Sequence, residues 1–119
     1  MSKEPDLAIA ELFFALGDET RLSVLARLGT GALSATALSS GARVTRQAIV
    51  KHLQVLESAG LVTHEKRGRE VLYILEGRRI DEARAFLEMM SARWDRALSR
   101  LREMIEKQPS RLPREHLRR

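Results

Sequence analysis

Arg46, Gln47, Val50, Lys51 and Gln54 occupy one short stretch of the sequence, and their side chains suit the edges of base pairs. Arginine can give two hydrogen bonds to guanine, glutamine pairs in the same way with adenine, and valine can meet a thymine methyl group. Lysine is better suited to a phosphate, as a point charge. Arg46, Val50 and Gln54 recur at intervals of four, as do Gln47 and Lys51, so on a helix they form adjoining rows on one side. Ile49, Leu53 and Leu56 fall on the opposite side, toward a core. A solvated helix face is the plain alternative. Such a face normally interleaves Glu, however, and no acid occurs from Arg43 to Gln54.

A second basic group follows at once. Lys66, Arg67 and Arg69 surround Gly68, between two runs rich in β-branched and aliphatic residues, Leu61 to Lys66 and Glu70 to Leu75. Such runs predict an antiparallel hairpin. A hairpin directly after a base-reading helix is a wing, able to lie along the DNA backbone or dip into the minor groove. Glu65 and Glu70 keep an ordinary charged turn open as the other reading.

These residues need a scaffold, and the hydrophobic spacing supplies one. Ile9, Leu12, Phe13 and Leu16 share one face of a helix over Leu7 to Leu16. Gly17 ends it, and Asp18 can cap a second helix, Glu19 to Leu28, with Leu22, Leu25 and Leu28 inward. Gly29-Thr30-Gly31 breaks that helix, and Ser34 caps a short third helix ending near Ser40. Thr45 caps the fourth, which runs to about Ser58 and is closed by Gly60. Val44 and Ile49 stand where a hydrophobic staple would fix its entry angle. Two short helices and a tight turn, the second helix basic, make a helix-turn-helix. Arg78 to Lys107 reads as one long helix, with Ile80, Ala83, Leu87, Met90, Trp94, Ala97, Leu101 and Met104 along a seam. The fold expected is mainly α with a small β-hairpin: four helices, the hairpin and a long fifth helix. Residues 1–107 form the domain, and 108–119 form a basic, disordered tail.

Composition limits the functions available. A formal net charge of +5 favours a polyanionic partner. With no cysteine in the chain, disulfides, thiolate metal sites and thiol nucleophiles are excluded. No Gly-rich phosphate loop or His–nucleophile pair stands out, so an enzyme lacks its parts. No apolar run reaches the ~20 residues that span a bilayer, and no signal peptide is visible, which predicts a cytoplasmic protein. The last helix mixes Glu and Arg on its polar side, which argues against a membrane-surface role.

The stretches "LGDETRLSVLARL", "VTRQAIVKHLQVLESAGLV" and "KRGREVLYIL" resemble the ArsR/SmtB family of bacterial winged-helix transcriptional repressors over nearly the whole chain. The resemblance implies repression by occupancy of a double-stranded, inverted-repeat operator. It also implies a homodimer in which the first and last helices pair, with Leu12, Phe13, Leu87, Met90, Trp94 and Leu101 at the seam. The chain departs from the family at Val50, where serine is usual. It departs again in the third helix, "LSATALSSGA", which lacks the cysteines of metal-sensing members. The last helix has Asp81, Glu82, Glu88 and Asp95 but no histidine, and His52, His64 and His116 are scattered. No metal or other cofactor is expected, and the chain is closest to the branch without metal sites.

Individual residues keep more than one reading. Arg21 could pair with Asp18 or reach a phosphate. His52 could be a packed, hydrogen-bonded histidine or a DNA contact. Trp94 could fill a dimer core or line a pocket for an inducer whose identity the sequence does not give. Tyr73 is expected on the inner face of the wing. The rival function is a winged-helix module that binds protein partners and never reads DNA.

Overall fold

The computed structural model describes residues 7–107. Among these, the elements are α1 (Leu7–Leu16), α2 (Glu19–Leu28), β1 (Leu33–Ser34), α3 (Ala35–Ser39), α4 (Arg46–Ser58), β2 (Val62–Arg67), β3 (Glu70–Leu75) and α5 (Gly77–Glu106). The basic tail, His116 included, lies outside the described residues. Of the described residues, 7–83 form one compact unit and 84–107 a second. No helix among the described residues is long and apolar enough to cross a membrane.

Three side chains start three helices. Asp18 accepts from the Arg21 N–H at 3.0 Å, Ser34 from the Ala37 N–H at 3.1 Å, and Thr45 from the Ala48 N–H at 3.1 Å. Each satisfies a donor that the first helical turn leaves without a partner. α4 ends in a Schellman turn, in which Leu61 N–H donates to Leu56 and Gly60 N–H to Glu57, both at 2.9 Å. Gly60 has φ +79°, and a Cβ there would lie 3.1 Å from the Arg79 side chain. This turn aims the chain from the basic helix straight into β2.

β2 and β3 pair antiparallel from Val62↔Leu75 to Arg67↔Glu70, with Gly68 and Arg69 as the two-residue loop. Gly68 takes φ +61°, the positive value that tight hairpin turns require at that position. The sheet has a third strand absent from the sequence-based expectation. β1 pairs with β3 through Leu33↔Tyr73 and Ser34↔Leu72, in the order β1-β3-β2. Two residues are too few to display an alternating pattern, and only their partner on β3 makes them a strand.

Leu12, Leu38, Ile49, Leu53, Leu56, Leu61 and Val62 are the largest fully buried side chains of the first unit. Val44 packs against this cluster, as a staple to Ile49 would. The inward face of α2 requires a correction. Leu22 is 50% exposed, whereas Arg21, Val24, Leu25 and Leu28 are buried. Their i, i+3, i+4, i+7 spacing is a regular helix face, but a cation holds its first position. Leu25 and Leu28 point inward as expected, and only the first position of the face is misassigned, to Leu22 in place of Arg21.

Arg27 donates to the carbonyls of Leu38 at 2.9 Å and Ala37 at 3.2 Å, which ties α2 to α3. Arg79, at the start of α5, donates to Ala59 O and Ala8 O and also pairs with Glu82. Considered alone, the second unit is a helix that carries exposed Leu87, Trp94, Leu98 and Leu101 on one face, with Trp94 at 63% exposure.

Candidate nucleic-acid interface

The outward residues of α4 are arranged as the helix wheel predicts. Thr45, Arg46, Gln47, Lys51 and Gln54 are exposed, and Val50 is half-buried against the core. Four of these residues divide between two grooves. Arg46 and Val50 border a groove of about 790 Å³ whose other walls include Thr36 of α3 and Arg69 of the wing. Lys51 and Gln54 border a second, of about 530 Å³, with Phe14 and Val55 on its apolar side.

The wing cations are not equivalent. Lys66, Arg67 and Arg69 are all exposed. Arg67 Nε donates to the Glu65 carboxylate at 2.8 Å, so part of its charge is neutralised locally. Arg69 is at the first groove with Arg46, and Glu70 is the one acid among its lining residues. Sequence spacing could not rank Arg67 and Arg69, because the difference lies in which side chain finds a carboxylate.

The expected contacts of two residues, Arg21 and Leu12, are corrected. Arg21 is only 8% exposed and is not available to a phosphate. Its Nε donates to Ala15 O at 2.8 Å and its Nη2 to Phe14 O at 3.2 Å, which satisfies the last carbonyls of α1. Nor does its side chain pair with Asp18, which is engaged by the Arg21 backbone N–H. Leu12 is fully buried in the core of its own unit and cannot present itself to a second chain. Phe13 is half-buried against the same core, and the outward aromatic of α1 is Phe14, 69% exposed. On a helix, Leu12 and Ala15 project together and Phe14 away from them.

Two histidines serve the scaffold. His52 Nδ1 is 3.2 Å from Arg21 Nη1 and 3.8 Å from Asp18. Only the first is a hydrogen-bond distance, so the packed reading of His52 holds. His64 Nδ1 lies 2.8 Å from Glu57 and its ring 5.7 Å from that of Tyr73, linking β2 to the end of α4. Tyr73 is half-buried on the core side of the wing, as expected. The Arg21 N–H, with smaller contributions from the His52 and Arg21 charges, holds the Asp18 carboxyl below its ordinary value, against an opposing effect of desolvation. Among the described residues, no group of three or more His, Asp or Glu is placed to hold a metal ion.

Sequence spacing located α3 but not its part in the groove. Thr36, Ser34 and Ser40 line the first groove, and Thr36 Oγ1 accepts from Arg46 Nε at 3.0 Å. The available signal was the run of hydroxyl residues in "LSATALSSGA", next to a helix already assigned to base edges.

A short helix, a turn, a basic helix and a β-hairpin in this order define a winged helix-turn-helix domain. A family model described as a helix-turn-helix domain matches residues 16–65. The HTH-type transcriptional regulator Rv2034 of Mycobacterium tuberculosis is 33% identical over 92 residues, 77% of this chain and 83% of that one. The HTH-type transcriptional repressor SmtB of the same organism is 35% identical over 68 residues, 57% of this chain and 50% of that protein. The solved structure of an ArsR-like transcriptional regulator from Rhodococcus sp. RHA1 superposes with a TM-score of 0.72 at 40% identity, covering 82% and 92% of the two chains. The chain belongs to the ArsR/SmtB family of winged helix-turn-helix proteins and is a DNA-binding transcriptional regulator.

Proposed function

We propose that the protein is a homodimeric repressor that occupies an inverted-repeat operator and senses no metal. α4 of each protomer reads base edges, with Thr45, Arg46 and Gln47 at the helix start where those edges are nearest. Val50 supplies an apolar contact, and Lys51 and Gln54 continue the row. Lys66, Arg67 and Arg69 hold the flanking backbone. A symmetric dimer sets two such helices in successive major grooves, about 34 Å apart. One observation carries the reading: the exposed side of α4 from Arg46 to Gln54 has no acid, and its leading cation shares a groove with a wing arginine.

The dimer is supported by Leu87, Trp94, Leu98 and Leu101, an apolar face along α5 that is exposed in the single chain; Met90, half-buried, adjoins it. The protein acts in the cytoplasm, by DNA occupancy and without catalysis.

The experiment is a salt titration of binding to an operator duplex and to a shuffled duplex. Arg46→Ala is expected to cost about 1–3 kcal/mol per half-site and to relax sequence preference. If the wild-type protein shows no salt-dependent affinity for either duplex, the chain is a protein-interaction module instead.

A further inference from the structure

Arg46 is held before any DNA arrives. Its Nε donates to Thr36 Oγ1 at 3.0 Å, from the first residue of α4 to the exposed side of α3. Among the described residues the guanidinium has no other hydrogen bond or ion pair. An arginine recognises a guanine edge through two of its N–H groups in a fixed planar fork. With Nε committed to Thr36, the remaining fork is the terminal pair, Nη1 and Nη2. An unrestrained arginine loses rotamer freedom when it docks, and that loss subtracts from affinity at the one site where the geometry must be right.

We propose that Thr36 is a positioning residue for sequence discrimination: its hydroxyl holds Arg46 by Nε and presents the Nη1–Nη2 edge to a guanine of the operator. This rests on the DNA-reading role of α4 argued above. Thr36 is exposed and its side chain bonds no other described residue, so the hydroxyl is dispensable to the core. The chief rival is that Thr36, which lines the same groove as Arg69, meets a phosphate directly.

The test uses the full chain, a duplex recovered by the wild-type protein from a random-sequence pool, and a shuffled version of that duplex. Thr36→Val keeps the β-branched shape and removes the hydroxyl; Thr36→Ala is a second hydroxyl-free variant. Both are expected to lower the selected-to-shuffled affinity ratio about 3- to 10-fold per half-site, with the salt slope unchanged. Thr36→Ser should restore the ratio. In an Arg46→Ala background, Thr36→Val should have no further effect, because residues that act as a unit are not additive. An unchanged ratio overturns the proposal. So does equal weakening on both duplexes with a shallower salt slope, which marks a phosphate contact, or full additivity with Arg46→Ala. Failure of the wild-type protein to select any sequence would instead sink the DNA reading, and the proposal with it, before any variant is made.

Discussion

The guanidinium of Arg21 meets the Nδ1 of His52 at 3.2 Å, across a separation of 31 residues. An arginine can only donate, so a hydrogen bond between the two requires Nδ1 as the acceptor. The same guanidinium closes the end of α1 through Ala15 O and Phe14 O and lies 5.3 Å over the Phe14 ring. A single buried cation thus joins α1, the start of α2 and the middle of α4.

Removing that cation should be felt in stability rather than in phosphate contact. Arg21→Met keeps an apolar stem but takes the guanidinium donor from Ala15 O and His52, while Phe14 O keeps the Gly17 N–H. The expected loss is about 2–3 kcal/mol, read from urea denaturation. The salt slope of DNA binding, measured where the variant is folded, should match wild type. A slope shallower by one unit with stability intact would return Arg21 to the list of phosphate contacts.

Asp18 gives the fold an acid limb. Its carboxyl is held below the ordinary value chiefly by the Arg21 N–H. A group whose folded value is depressed contributes stability that is complete above the unfolded value and is lost as pH falls through the folded one. Stability should therefore decline below about pH 4. Asp18→Asn retains a capping oxygen but does not titrate, so its urea midpoint should fall less steeply over the same range. Parallel curves for the two proteins would contradict this.

The wing arginines should separate in a salt titration. Arg69 borders the Arg46 groove, whereas Arg67 is paired with Glu65. Arg69→Ala is expected to reduce the salt slope by about one unit and to weaken operator and shuffled duplexes alike. Arg67→Ala should do less, and Glu65→Gln, which frees Arg67, should strengthen both. Equal losses for the two arginines would mean that the Glu65 pair opens on DNA.

Dimerisation should depend on α5. Trp94→Glu places a charge in the exposed apolar face, where burial against a second copy would leave it unpaired. Sedimentation at micromolar concentration should report a dimer for wild type and a monomer for the variant. A monomeric wild type would remove α5 as the seam.

The elements themselves were legible in the sequence. α1 and α2 run over the residues that hydrophobic spacing and Gly17-Asp18 predict, and α4 begins after the Thr45 cap. Helix periodicity, capping and a Gly-centred hairpin are short-range effects, settled by residues within a few positions of one another. The same reasoning turned Ile49, Leu53 and Leu56 inward and left Arg46, Gln47, Lys51 and Gln54 outside.

Tertiary structure alone decided the rest. β1 exists because Tyr73 and Leu72 lie beside Leu33 and Ser34. Arg21 is buried because the C-terminal carbonyls of α1 and a ring from α4 surround it, and no local pattern announces an apolar position filled by a cation. Leu12 went to the core and Phe14 to the surface by the rotation of α1 against α2 and α4. Arg46 became a held side chain, and Arg69 its neighbour across a groove, only when α3 and the wing were brought to the start of α4. Side-chain types and periodic spacing are carried by the chain in any conformation; a hydrogen bond or a groove between distant residues exists only once the fold has closed the loops between them.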